Sequence, residues 1–319
     1  ASNPLGFGEP LWVVDYHKRL MQQLALQMTD GRPTAFANVL DIQADSAVIA
    51  ELNDFLKPFA TSGRNLVVKD PRLLWFLSMW IDASSAAGFR IGTATMLRHP
   101  AEVLHSKVSW YGRPVTDTHR VAGWINTMLG VERGTRDLAR CFVRFDDLLS
   151  DWTQEVARLS QAFKLPELLA APAQKQIRAA SLVDASLKRS VRSWDSYEIP
   201  QSLIDMAEST WESLSALVDD PTGAVQLANL DHIRTEYDAM FTQAEALTAS
   251  VVHAERQSHQ AKIQQLKREL RRADERAPTG ASYLPFHRRL VRKVPRSVRH
   301  LVPEEVRNKT LQAFDTTKP

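Results

Sequence analysis

The segment Thr95-Met96-Leu97-Arg98-His99-Pro100-Ala101-Glu102-Val103-Leu104-His105-Ser106 decides the fold. It closes a short apolar, β-branched run over residues 91–97 and opens a helical pattern over 100–110. Pro100 suits the first helical position, where a missing N–H costs nothing, so His99 falls at the cap and Arg98 at the carboxyl end of the strand. An oxyanion at such a turn meets a guanidinium, free helix amides and, six residues beyond Pro100, the Ser106 hydroxyl.

Outward from this turn the same alternation repeats. Residues 65–69 and 140–145 are the other strand candidates, and helical patterns occupy 73–87 and 119–133. Strands alternating with helices imply a parallel sheet with right-handed crossovers. Upstream, Leu11, Val14, Leu20, Leu24 and Leu26 mark an amphipathic helix over 10–28, ended by Asp30-Gly31-Arg32-Pro33, and Ser46 is placed to cap a second helix reaching about residue 57. Beyond Asp151 the pattern is helical, with breaks near Pro166, Pro172, Pro200 and Pro221.

Arg98, His99-Pro100 and Ser106 together resemble the 3′-phosphate-binding motif of sulfotransferases that use 3′-phosphoadenosine 5′-phosphosulfate (PAPS). Val67-Val68-Lys69-Asp70-Pro71-Arg72 resembles the strand and turn that precede the motif in bacterial members. Val143-Arg144-Phe145-Asp146-Asp147-Leu148-Leu149 resembles the strand and acidic segment that follow it. The opening Asn3-Pro4-Leu5-Gly6-Phe7-Gly8-Glu9 resembles the family's Asn-Pro-x-Gly-aromatic-x-Glu segment. The resemblance covers roughly the first 190 residues, in family order. It implies a P-loop-NTPase-like parallel sheet flanked by helices. Residues 1–228 are expected to form this sulfotransferase-like domain, 229–277 a long helix or coiled-coil segment, and 278–319 a basic, Pro-containing tail.

Family members begin with a strand, a Gly/Arg/Ser/Thr-rich loop and a helix that cradle the 5′-phosphosulfate. No stretch here reads G-x-x-x-x-G-K-[ST] or Arg-Ser-Gly-Thr. The expectation is that the sequence is N-terminally incomplete, with that loop and its central strand encoded upstream of Ala1.

The resemblance also implies roles. Lys69, at the carboxyl end of a strand candidate, contacts the transferring group, and Arg98 and Ser106 bind the 3′-phosphate of PAPS. Lys188 and Arg189 stand where the family places a further basic group. Asp70 is read in two ways: as the base that takes the acceptor proton, or as the cap of the helix beginning at Pro71. His99 and His105 are alternative bases, though a structural role is the commoner fate of such histidines. Arg72 is read as the partner of an acidic group such as Asp146 or Asp147. Trp75, Trp80, Trp110, Tyr111 and Trp124 are pocket aromatics or, as is more usual at helical spacing, core.

With 319 residues, 44% of them hydrophobic, the chain can bury a large core, and it contains no uninterrupted apolar run of about 18 residues. A lone cysteine, Cys141, excludes an internal disulfide and a cysteine-rich metal site; no metal is expected. The net charge of +3 hides an asymmetry, since residues 251–319 hold 16 Lys/Arg against 7 Asp/Glu and residues 1–250 hold 24 against 30. The basicity therefore belongs to the tail, and no nucleic-acid partner is expected for the body. The mixed apolar and basic stretch over 284–309 is read first as a solvated tail, and otherwise as a segment that lies on an anionic membrane surface or binds a polyanion; the protein is expected in the cytoplasm, peripheral to the membrane in the lipid-bound case. Ile233, Tyr237, Met240, Ala244, Leu247, Val251 and Ala254 step by four and three, a heptad seam that pairs with a second copy through 233–275 or packs back on the body.

Two functions follow. One is a PAPS-dependent sulfotransferase acting on a hydroxyl of a saccharide, glycolipid or other small acceptor. The other is a non-catalytic interaction protein of the same fold that oligomerises through its C-terminal helix.

Overall fold

The computed structural model describes residues 8–43, 45–63, 65–111, 115–183 and 192–275. They form a mixed α/β protein that is mostly helical. By contacts the chain divides into two units, Ala1–Ala246 and Leu247–Pro319. The expected tail over 278–319 lies outside the described residues.

Helix α1 (Leu11–Gln23) buries Val13, Tyr16, His17 and Leu20. Helix α2 (Ala35–Gln43) has no counterpart in the expectations, its nine residues being too few for a periodic signal. Helix α3 (Ser46–Ser62) is capped by Asp45, which accepts from the Ala47 amide, so the cap stands one residue before the expected Ser46. It ends at Gly63, whose φ of +62° is cheap only for glycine. The pattern over 73–87 resolves into a 3₁₀ turn, Pro71–Leu74, and helix α4 (Leu77–Ala86).

Strand β1 (Gly92–Leu97) leads into α5 (Pro100–Tyr111), then α6 (Asp117–Gly134) and strand β2 (Ala139–Arg144). The strands pair in parallel with Gly92 opposite Ala139 and Leu97 opposite Arg144. This is the strand–helix–strand crossover the alternation predicts, but among the described residues the sheet is two strands wide. Residues 65–69 pair with neither of its strands. Leu66 and Val68 pack inward while Val67 is 83% exposed, so the period of two survives without a ladder. β-Propensity marks backbone that fits a pleated surface; a neighbouring edge is still needed to make a strand. The wider doubly wound sheet of the expectation is thus not seen among the described residues.

Helices α7 (Phe145–Ser150), α8 (Trp152–Phe163), α9 (Ala173–Leu182) and α10 (Gln201–Ala216) follow, and α11 runs from Ala224 to Glu275. The expected boundary at 228 falls inside α11. Among the described residues no helix is long and apolar enough to cross a membrane.

Two apolar cores result. One joins α1, α3 and α4 through Tyr16, Leu20, Leu52, Leu56, Trp75, Phe76, Met79 and Trp80. The other joins β1, β2, α5, α6, α10 and the start of α11 through Leu97, Leu104, Ile125, Phe142, Trp211, Leu214, Ile233 and Tyr237. Each such side chain stabilises by about 1.5–3 kcal/mol when fully buried. Trp75, Trp80 and Trp124 are core residues. The side chains of Trp110 and Tyr111 lie outside what the structure describes.

The heptad seam is divided by this packing. Ile233 and Tyr237 are buried against the body with Met240 beside them, whereas Leu247 and Val251 are exposed. The Tyr237 hydroxyl is shared between the carbonyls of Gly31, at 2.5 Å, and Ala122, at 3.0 Å. Arg234 donates to the Asn126 side chain and carbonyl, and Asn126 in turn donates to the carbonyls of Asp30 and Arg32. Tyr237→Phe is expected to cost about 1–2 kcal/mol, read as a lower urea midpoint at unchanged slope, because it strips a donor from buried carbonyls. An unchanged midpoint would show that these bonds add nothing net.

Candidate functional site

Two charged turns carry the nominated residues. The first is at residues 69–72. Asp70 accepts from the Arg72 amide at 2.7 Å, capping the 3₁₀ turn, and its two oxygens take Arg72 Nη1 at 2.9 and 3.0 Å. The capping half of the sequence reading is thereby seen. Arg72 is held by Asp70 and by Glu9, at 3.6 Å, and not by the Asp146 or Asp147 anticipated for it. Glu9 also accepts from Lys69 Nζ at 2.7 Å. Behind Asp70 stands His17, fully buried, with Nδ1 3.5 Å from Asp70 Oδ2 and Nε2 accepting from the Trp80 indole at 2.8 Å. Since the indole can only donate, Nε2 carries the lone pair and Nδ1 the proton that faces Asp70. Burial alone would raise the Asp70 carboxyl, but the donors from His17 and Arg72 outweigh it and hold the group below the usual carboxylate range.

The second turn follows β1. The parallel register that sets Leu97 opposite Arg144 brings the next residues together as well, and the Arg98 guanidinium lies 4.8 Å from the centre of the Phe145 ring. Arg98 Nε donates to Glu102 at 3.2 Å. Glu102 is buried, and its other oxygen takes Arg192 Nε at 3.0 Å; Arg192 also pairs with Asp146 and lies over Trp211. His99 is at the cap, as its place before Pro100 predicts. Its Nδ1 accepts from the Ala101 amide at 3.3 Å and its carbonyl accepts from the Val103 amide at 3.0 Å. Its Nε2 lies 3.1 Å from Glu208, which also accepts from the Trp194 indole at 2.6 Å. His105 meets the Tyr197 hydroxyl at 3.3 Å.

Of the six nominated residues, Lys69 and Asp70 thus share the first turn and Arg98 stands at the second, while the half-buried Ser106 lies further along, as the seventh residue of α5. Lys188 and Arg189 lie outside the described residues. Three members of these networks were not legible as such. Glu9 was one letter of a segment motif, Arg192 lies just beyond the basic pair that was chosen, and Glu208 sits in an ordinary helical pattern. Nothing in local spacing links Glu9 to Lys69, Arg192 to Glu102 and Asp146, or Glu208 to His99, which lie 46 to 109 positions apart. Asp146, anticipated as a partner for Arg72, pairs with Arg192, and Asp147 pairs with Arg144.

Chemically, the second turn joins a guanidinium at a strand's carboxyl end to a capped helix start, an arrangement suited to an oxyanion. The first presents a lysine and a carboxylate side by side at a turn held from beneath. Fold and site together define a helix-rich α/β protein with a charged, histidine-capped turn after a parallel strand. No protein-family model, curated protein or solved structure matches this chain.

Proposed function

We propose that the chain belongs to a sulfotransferase that moves a sulfuryl group from PAPS to a hydroxyl of a saccharide, glycolipid or other small acceptor. The observation that carries this reading is the strand–turn–helix at residues 95–106, where Arg98 leaves the carboxyl end of a parallel strand and α5 begins with a turn capped by His99. That is the place where α/β sheets bind phosphorylated ligands. The 3′-phosphate of the donor binds at Arg98 and Ser106, with Arg192 as a second guanidinium at the same turn.

Lys69 neutralises charge on the oxygen that bridges sulfur and the 5′-phosphate. Glu9, whose carboxylate already touches Lys69, takes the proton of the acceptor hydroxyl. The acceptor oxygen forms its bond to sulfur as the bond from sulfur to the bridging oxygen breaks, and 3′-phosphoadenosine 5′-phosphate (PAP) leaves with that electron pair. Asp70 serves this chemistry by holding the turn that presents Lys69 and Arg72.

Titration calorimetry of the full chain with PAP tests the nucleotide half. Arg98→Ala is expected to weaken binding about tenfold to a hundredfold, the worth of a charge-assisted hydrogen bond. Equal binding by wild type and variant would remove Arg98 from the site.

A further inference from the structure

The Arg98 turn is built on a histidine cap, and a histidine caps only with a bare ring nitrogen. His99 Nδ1 must carry a lone pair to accept from the Ala101 amide, so the ring proton must sit on Nε2. Glu208, from α10, meets that nitrogen at 3.1 Å and, as a carboxylate, can only accept. Its second oxygen is occupied by the Trp194 indole at 2.6 Å. His99 itself is buried, edge-on to Trp211 at 5.4 Å, so the ring has little room to turn and exchange its nitrogens.

We infer that Glu208 is a positioning residue for the anion turn: by accepting from His99 Nε2 it fixes the tautomer in which His99 caps α5 and so holds the turn that carries Arg98. The inference rests on the reading of this turn as the seat of the nucleotide's 3′-phosphate. Glu208 is 109 residues from His99 in sequence and belongs to no motif. Its effect passes through a proton on a neighbour, without contact to the ligand. The same carboxylate ties down Trp194, two residues beyond Arg192, so the segment that supplies the second guanidinium is registered to the same point.

Glu208→Gln separates this role from simple packing. The glutamine oxygen stays with the indole, which makes the shorter contact, and its NH₂ then faces His99 Nε2. The imidazole must move its proton to Nδ1, where it opposes the Ala101 amide and the cap is lost. PAP binding by the full chain is expected to fall about fivefold, the size of a lost helix cap. His99→Asn caps through its own side-chain oxygen and needs no tautomer. In that background Glu208→Gln should have no further effect.

Wild-type affinity in Glu208→Gln, alongside weakened binding in Arg98→Ala, overturns the role of Glu208 while leaving the site in place. A fivefold loss that persists in the His99→Asn background overturns the route through His99. Unchanged binding in Arg98→Ala removes the underlying reading and the inference with it. The wild-type protein alone gives a test that needs no variant to fold: long-range proton–nitrogen NMR should show His99 protonated at Nε2, and protonation at Nδ1 overturns the inference.

Discussion

Lys69→Ala is expected to lower kcat for sulfuryl transfer from PAPS by about three orders of magnitude while PAP affinity stays within about threefold of wild type. The Lys69 ammonium is half-exposed, just before the capped turn at Asp70, and its described partner is Glu9 at 2.7 Å. Removing it deletes a charge that acts on the leaving oxygen and frees a carboxylate, yet it leaves the buried Asp70–Arg72 pair in place. A structural lysine in an exposed ion pair would be worth about 0–1 kcal/mol of stability and nothing in rate. The two roles therefore separate cleanly: a large loss of kcat with an unchanged urea midpoint marks a catalytic lysine. Full activity in the alanine variant would sink the assignment. Glu9→Gln should show a parallel loss whose pH profile lacks the limb due to a base.

Asp70→Asn is expected to destabilise the fold by about 3–5 kcal/mol, because it removes one member of a buried ion pair and strands the other. Arg72 would lose both of its short contacts to Asp70, leaving Glu9 at 3.6 Å, and the His17 Nδ1–H would face a weaker acceptor. The pH dependence follows from the depressed carboxyl. A group whose folded value lies below its unfolded value of about 3.9 contributes fully above that pH, and the contribution drains away as pH falls through the folded value. The wild-type urea midpoint should therefore drop below about pH 4, and Asp70→Asn should lack its share of that drop. Asp30, which Arg32 holds low against the opposing effect of burial, contributes a separate share with the same sign. A variant with the wild-type acid profile would show that Asp70 is not ionised in the folded protein.

Local chemistry made much of the second turn readable. Pro100 can only begin a helix, β-branched residues over 91–97 favour extension, and His99 falls between them, so strand, cap and helix stand where expected. The helix over 119–133 appears as Asp117–Gly134 for the same reason of period. Asp70 before Pro71 signals a cap by itself, and it is one. Other readings stopped where local pattern stops. Residues 65–69 alternate as a strand does, but alternation says nothing about a neighbouring edge. The seam from Ile233 has a helix-pairing period, and the period is the same whether the partner is the body or a second copy; the burial of Ile233 and Tyr237 shows the body as partner for the first part.

What the amino-acid sequence determined by itself is therefore the set of short-range commitments: the turn at Arg98-His99-Pro100, the capped turn at Asp70-Pro71, and the identity of the cations that stand on them. Each depends on residues within a helical turn of one another, where torsional preference and capping act. What only the tertiary structure decided is which charges meet. Glu9 with Lys69, Arg192 with Glu102 and Asp146, His17 with Asp70 and Glu208 with His99 are all pairs distant in sequence. Their encounters follow from the parallel register of β1 and β2 and from the packing of α1, α4 and α10 around the two cores, because a buried charge is tolerable only where folding supplies its partner.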